Sequence, residues 1–234
     1  MNAKNNDDAA SLKKCADTGG VSAPEGEPLE NCAKPYHHGD LRNALITAAA
    51  ELIEQNGSLE FSITDAARCA GVSSAAPYRH FKAKEDLLRA VRELAFLGLH
   101  RAMSEGAQRA APGSSAQIIA LGESYLAFAQ EKQAFFGLMW EDRADIAYRR
   151  QEAKMKMSGF RVVLAACETY CAQHSVTVDT NPMQLATQLW ALAHGIATLK
   201  VNQMLDLFDA NIDARAILRQ TTIALLEGLH TKPL

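Results

Sequence analysis

The side chains best equipped to do chemistry lie close together. Ser73, Ser74, Tyr78, Arg79, His80 and Lys84 bring hydroxyls, a guanidinium, an imidazole and an ammonium into one short stretch. Around them, across residues 68–92, Arg68, Arg79, Lys82, Lys84, Arg89 and Arg92 stand against only Glu85 and Asp86. The whole chain has a formal net charge of −3, so this excess of cations is local. Such a window is where an anionic partner would dock. Tyr78 and His80 can donate hydrogen bonds to phosphate oxygens, and Lys84 can hold a phosphate together with nearby backbone amides. Ser74, Ala75 and Ala76 are small enough to meet thymine methyls or backbone, but none can make the bidentate guanine contact of an arginine. Arg79 is the one long donor. Spacing leaves open whether it meets a base, a phosphate or water.

Other chemistries find little support. There is no G-x-S-x-G, P-loop, H-E-x-x-H or glycine-rich nucleotide turn. The expectation is a chain that is not an enzyme, with no catalytic residues, cofactor or metal. His37-His38 lacks the Cys, Asp or Glu that would complete a metal set. Glu141, Asp142 and Asp145 read as a solvated turn. Five cysteines form no C-x-x-C pair. Cys167 and Cys171, four apart, read as two small buried hydrophobes rather than a thiol sensor. Phe128, Phe135, Phe136, Met139, Trp140, Met155, Phe160 and Trp190 recur at helical spacing with His194. At this spacing such side chains are more often core, and some could also line an apolar ligand cavity.

The elements that must position these groups are helices. Of 234 residues, 41 are Ala, a strong helix former and a poor strand former. Hydrophobic residues make up 48%, enough for a sizeable core. Residues 1–35 are rich in Asn, Asp, Gly, Pro and Glu without apolar periodicity, and read as a disordered tail with no signal-peptide stretch. No run reaches bilayer length, which points to a soluble cytoplasmic protein with no membrane partner. From Asp40, apolar residues at Leu41, Ala44, Leu45, Ala48, Ala49, Leu52 and Ile53 predict a helix ending at Asn56-Gly57. Further helices are expected over 63–70, 74–80, 84–106, 115–131, 133–140, 144–173, 182–205 and 212–229, about nine in an all-α fold.

The second and third of these are short, and Gly71-Val72-Ser73 joins them. Gly71 can take the left-handed conformation of a tight reversal, and Ala66, Ala67 and Ala70 allow close approach. This is the composition of a helix-turn-helix, whose second helix enters the DNA major groove N-terminus first. Pro77 lies only four residues past Ser73, so it removes just the first intrahelical bond.

Tyr36-His-His-Gly-Asp-Leu-Arg-Asn-Ala-Leu, Ile63-Thr-Asp-Ala-Ala and the run from Ala70-Gly-Val-Ser through Tyr78-Arg-His-Phe to Lys82-Ala-Lys-Glu-Asp-Leu-Leu closely resemble the N-terminal domain of TetR-family transcriptional regulators. Trp190-Ala-Leu-Ala-His194-Gly195 resembles the Trp-x3-His-Gly signature of one subgroup of that family. The resemblance implies three parts: the tail 1–35, a DNA-binding domain 36–98 with its helix-turn-helix at 62–81, and an effector-binding and dimerisation domain 99–234. It places DNA contacts at Thr64, Ser74, Ala75, Ala76, Tyr78, Arg79, His80 and Lys84, with Phe81 and Leu88 in the core. It also implies an Ω-shaped homodimer joined through the last two long helices. That dimer would bind a palindromic double-stranded operator, as a repressor released by a small-molecule effector. The effector pocket would draw on Phe128, Phe136, Met139, Trp140, Met155, Phe160, Trp190 and His194. The alternatives are a regulator whose body binds a protein, or a ligand-binding protein or enzyme outside transcription.

Overall fold

The computed structural model describes residues 40–140, 146–174, 176 and 180–230. The tail, His37-His38, Cys15, Cys32 and Glu141–Asp145 lie outside them, as does the Met155 side chain. Every regular element among the described residues is helical.

Helix α1 (Leu41–Asn56) starts where the Asp40 carboxylate accepts the Asn43 amide at 3.2 Å, and stops at Gly57, held at φ 62°. Helix α2 (Ile63–Cys69) has only seven residues and depends on its first turn. Ser62 Oγ accepts the Asp65 amide at 3.1 Å, and the Asp65 carboxylate accepts the Ser62 amide at 2.8 Å. The Ser62 hydroxyl also donates to the Asp65 carboxylate at 2.6 Å, and that bond first, then the backbone one, holds the Asp65 carboxyl below its usual range, with Arg68 assisting. Gly71, at φ 69°, then reverses the chain, and Val72 N donates back to Ala67 O at 3.0 Å.

The helix expected over 74–80 is instead a turn leading into a single 3₁₀ turn, η1 (Pro77–Arg79). Residue 77 would donate the first α-helical bond to Ser73 O, but proline has no N–H. Ala76 N takes Ser73 O at 3.0 Å, and Arg79 N reaches Ala76 O at 3.3 Å. These i→i+3 bonds tighten the segment.

Helix α3 (Lys84–Ala107) runs through two hydrophobic clusters. Its first half, at Leu87, Leu88 and Val91, packs with Leu45, Leu52 and Ile53 of α1 and Ala66 and Ala67 of α2. Its second half, at Phe96, Leu99 and Met103, joins a larger cluster with α4 (Ser115–Glu131), α5 (Gln133–Trp140), α6 (Ile146–Gln173), α7 (Pro182–Val201), α8 (Met204–Phe208) and α9 (Ala214–Gly228). A hydrogen bond and an ion pair help tie the clusters together. Buried Arg92 donates from Nε to Leu138 O at 2.8 Å, in the last turn of α5 where carbonyls favour a cation. Lys132, at the end of α4, pairs with Glu54 of α1. Leu138 itself packs into the N-terminal cluster.

The helix expected over 182–205 is two. Asn202 closes α7, Gln203 takes a left-handed φ of 57°, and α8 restarts with Leu205 buried. Apolar spacing carries across this break, so periodicity does not register it. No described helix is long and apolar enough to cross a membrane.

Candidate nucleic-acid interface and adjoining cavity

The helix-turn-helix presents its donors outward. Ser74, Ala75, Tyr78, Arg79 and His80 are exposed, with Tyr78 at 55% despite its size. Ala76 is half-buried, and Pro77 and Phe81 are buried beneath them, so the turn is anchored from below. Thr64 is half-buried at the start of α2, its Oγ1 2.7 Å from Ser62 Oγ. Phe81 and Leu88 are core residues, as expected.

Lys84 is placed differently from a solvated surface lysine. It is the first residue of α3, and its Nζ donates to Leu59 O at 2.6 Å while lying 4.6 Å from the centre of the Phe61 ring. Its ammonium is therefore pinned beside the reading turn by the loop between α1 and α2. One of its three donors is used, and two remain for an anion. Arg42, exposed near the start of α1, stacks its guanidinium 5.6 Å from the centre of the Phe81 ring. Sequence reasoning missed it because 39 residues separate it from Phe81 and no local pattern links the two.

In the body, the expected pocket residues divide. Phe136, Trp140, Phe160, Trp190 and His194 do come together, around Tyr125. Tyr125 lies 5.0 Å from Trp190 and 5.9 Å from Phe136, Trp140 lies 4.7 Å from His194, and Phe160 lies 5.8 Å from Trp190. These are mostly edge-to-face pairs, the packing of a filled aromatic core. Met139 is fully buried, and Phe128 packs near Gly98. The space left beside Trp190 and Tyr125 is about 20 Å³. A cavity of about 580 Å³ opens elsewhere, between the Gly57–Leu59 loop, α5 and the C-terminal half of α7. Of the expected residues whose side chains are described, Phe136, Trp140 and His194 line it.

Tyr125 is a second residue that sequence reasoning missed. It is 1% exposed, and its hydroxyl lies 2.8 Å from His194 Nδ1. Burial pushes the Tyr125 phenol pKa up and the His194 imidazole pKa down, so both are neutral at physiological pH. A tyrosine at an apolar position of a helix was the available signal, since a buried hydroxyl needs a partner. Burial likewise pushes the Cys167 thiol up to about 12, and the neighbouring charges of Cys171 and Glu168 act in the same direction, so this thiol is unreactive.

Residues 45–91 match the family model for bacterial regulatory proteins of the tetR family, and residues 118–222 match that for the tetracyclin repressor-like C-terminal domain. The chain belongs to the TetR family. No curated protein matches it. Among solved structures, a protein of unknown function from Rhodococcus sp. RHA1 is 28% identical, with a TM-score of 0.70 over 85% of this chain and all of the other. A TetR/AcrR-family regulator from Thermobifida fusca YX-ER1 is 21% identical, with a TM-score of 0.58 over 82% of this chain and all of the other. The TetR-family regulator PfmR of Thermus thermophilus is 22% identical, with a TM-score of 0.53 over 80% of this chain and 99% of the other.

As a TetR-family protein the chain is a DNA-binding transcriptional regulator and not an enzyme. Its helix-turn-helix therefore has a partner, and the exposed donors over Pro77 and Phe81 face the solvent from which DNA would approach.

Proposed function

We propose that this regulator is a homodimeric, cytoplasmic repressor that binds a palindromic operator and is released by a small-molecule effector. The rigid, donor-bearing turn carries the reading. Tyr78, Arg79 and His80 project from a segment anchored by buried Pro77 and Phe81, and Lys84 is held beside them by Leu59. Ser74, Ala75 and Ala76 face the base edges. Tyr78, His80, Lys84 and Thr64 hold the phosphates and set the register. Arg79 takes a base or a phosphate. Residues 36–98 form the reading head and 99–234 the dimerisation and effector body, with 1–35 as a tail. Trp190, His194 and Gly195 support reading the body as one of the Trp-x3-His-Gly subgroup.

Homodimerisation finds support on α7 and α9. Gln184, Gln188, Ala191, Gly195 and Leu199 form one exposed stripe along α7, and Ile217, Thr221, Ala224 and Gly228 form another along α9. Both follow the three-and-four spacing of a single helix face, and the two helices pack side by side. Joined to the same faces of a second copy, they make a four-helix seam. The open cavity favours a small ligand over a protein partner for the body.

The test is a fluorescence-anisotropy titration with DNA from upstream of the coding region, beside shuffled DNA of equal composition, at two salt concentrations. Operator binding requires a preference of about a thousandfold for the native DNA. Loss of that preference in a folded, dimeric His80→Ala variant ties it to the reading turn. Unaltered binding by that variant removes the turn from the reading.

A further inference from the structure

We propose that the cavity between the Gly57–Leu59 loop, α5 and α7 takes an uncharged, mainly apolar molecule bearing a carbonyl-type acceptor, and that the Leu59–Lys84 bond transmits its occupancy to the reading turn. This deepens the effector reading above and rests on it. The cavity is about 580 Å³, within the range of sites for drug-sized ligands. Its walls include Leu59, Phe136, Leu138, Trp140 and Val201, and among the described residues no charged side chain lines it. A charged ligand would lose its hydration there without gaining a counter-ion.

Two polar groups on α7 set the acceptor. Thr198 and His194 are four residues apart, on one face, and both line the cavity. Thr187 and Thr169 donate their hydroxyls to carbonyls one turn back, at 2.7 and 2.8 Å. Thr198 does not: its Oγ1 is buried without a hydrogen-bond partner among the described residues. Buried hydroxyls are rarely left so. His194 uses Nδ1 on the Tyr125 hydroxyl. With that hydroxyl donating, the neutral ring carries its proton on Nε2 and offers a second donor. Two adjacent donors suit one ketone, ester or amide oxygen.

The opposite wall belongs to the reading head. Gly57, Ser58 and Leu59 line the cavity, and the Leu59 carbonyl holds Lys84 at 2.6 Å, at the entry to α3 directly after the reading turn. A ligand that displaces this loop moves the acceptor that positions Lys84. On the α5 side, Leu138 lines the cavity and its carbonyl receives Arg92 of α3. Ligand and DNA then bias the same loop, and each lowers the affinity for the other by the same factor.

The probe is the neutral aromatic ketone Prodan, whose emission reports an apolar site, titrated into the full-length protein with and without operator DNA. Wild type should bind it with blue-shifted emission and lose DNA affinity by about tenfold at saturation. Gly137 lines the cavity and a Cβ there meets none of the described residues, so Gly137→Leu extends into the space and should abolish Prodan binding. Thr198→Val keeps the shape, removes the hydroxyl and should weaken Prodan by about fivefold to tenfold. A thermal melt of each variant confirms folding. No binding by wild type, or binding unchanged in both variants, overturns the cavity and its ligand class, even if Prodan still releases DNA from another site. Binding that Gly137→Leu abolishes, with DNA affinity indifferent to Prodan in wild type, leaves the site standing but overturns the coupling and the effector reading.

Discussion

At the scale of single residues, the two side chains that decide most are those whose partners lie far off in sequence. Lys84 is tied to Leu59, 25 residues away, and His194 to Tyr125, 69 residues away. The lysine was legible as a phosphate donor from its place at a helix start, but the loop that aims it was not. Lys84→Met keeps an apolar stem over Phe61 and removes the ammonium. It should weaken binding to all DNA sequences alike and flatten the salt dependence by about one unit of slope. A changed sequence preference at an unchanged slope, in the same anisotropy titrations, contradicts the phosphate role. His194 makes a prediction about pH. Its folded-state pKa lies below the ordinary value of 6.5, and burial is the cause. The unfolded chain therefore binds the extra proton first, and this residue's contribution to stability is lost as pH falls below about 6.5. Denaturant melts from pH 7.5 to 5.5 should show that loss in wild type. His194→Asn, which keeps a polar atom near Tyr125 but cannot titrate, should flatten the slope over the same window.

At the scale of elements, the boundaries set by caps and glycines were readable, and those set by tertiary packing were not. Asp40, Ser62, Ser114, Asn181 and Asp213 each cap a helix through their side chains, because their short oxygens satisfy the amides that a helix start leaves open. Pro77 has a larger effect than its place near the start of the segment implies. In a segment this short, the loss of one bond shifts the balance from α to 3₁₀. The break at Gln203 left no trace in the hydrophobic pattern. The position of open space in the body is hidden from the sequence for a similar reason. Aromatic spacing locates a cluster without saying whether its interior is filled, and here edge-to-face packing fills it while the space opens against the head. α2 tests the capping account. With seven residues it has little helical stability of its own. Ser62→Ala removes the oxygen that accepts the Asp65 amide and should cost about 1 kcal/mol. Because the Ser62 hydroxyl also donates to ionised Asp65, the gap between variant and wild type in urea melts should narrow as pH falls through the lowered Asp65 pKa, below 3.8, leaving the part due to the amide bond. A gap unchanged under acid would show that the Ser62 hydroxyl does not stabilise the Asp65 carboxylate.

At the scale of the whole molecule, the proposed homodimer requires a second copy seated on a defined face. Two heads on one operator bind far more tightly than one, because the second contact becomes intramolecular. The exposed stripes of α7 and α9 carry no charge, their Ala191, Gly195, Ala224 and Gly228 allow close approach between helices, and a Cβ added at Gly195 or Gly228 meets none of the described residues of the protomer. Gly195→Arg therefore leaves the protomer's packing intact and, if anything, favours the helix by replacing glycine. It places a long cation where the partner's helix would lie. Light scattering after size exclusion should show the mass halved, with helical content retained by circular dichroism. Operator affinity should fall by about a hundredfold or more, while the weak, salt-sensitive binding to shuffled DNA changes little. The exposed Leu207 and Phe208 of α8 form the competing apolar face, at 75% and 70% exposure. A Gly195→Arg protein that stays dimeric, together with a Leu207→Asp protein that becomes monomeric, would move the seam to α8. That outcome would detach the spacing of the heads from α7, the helix that carries His194 and Thr198 into the cavity.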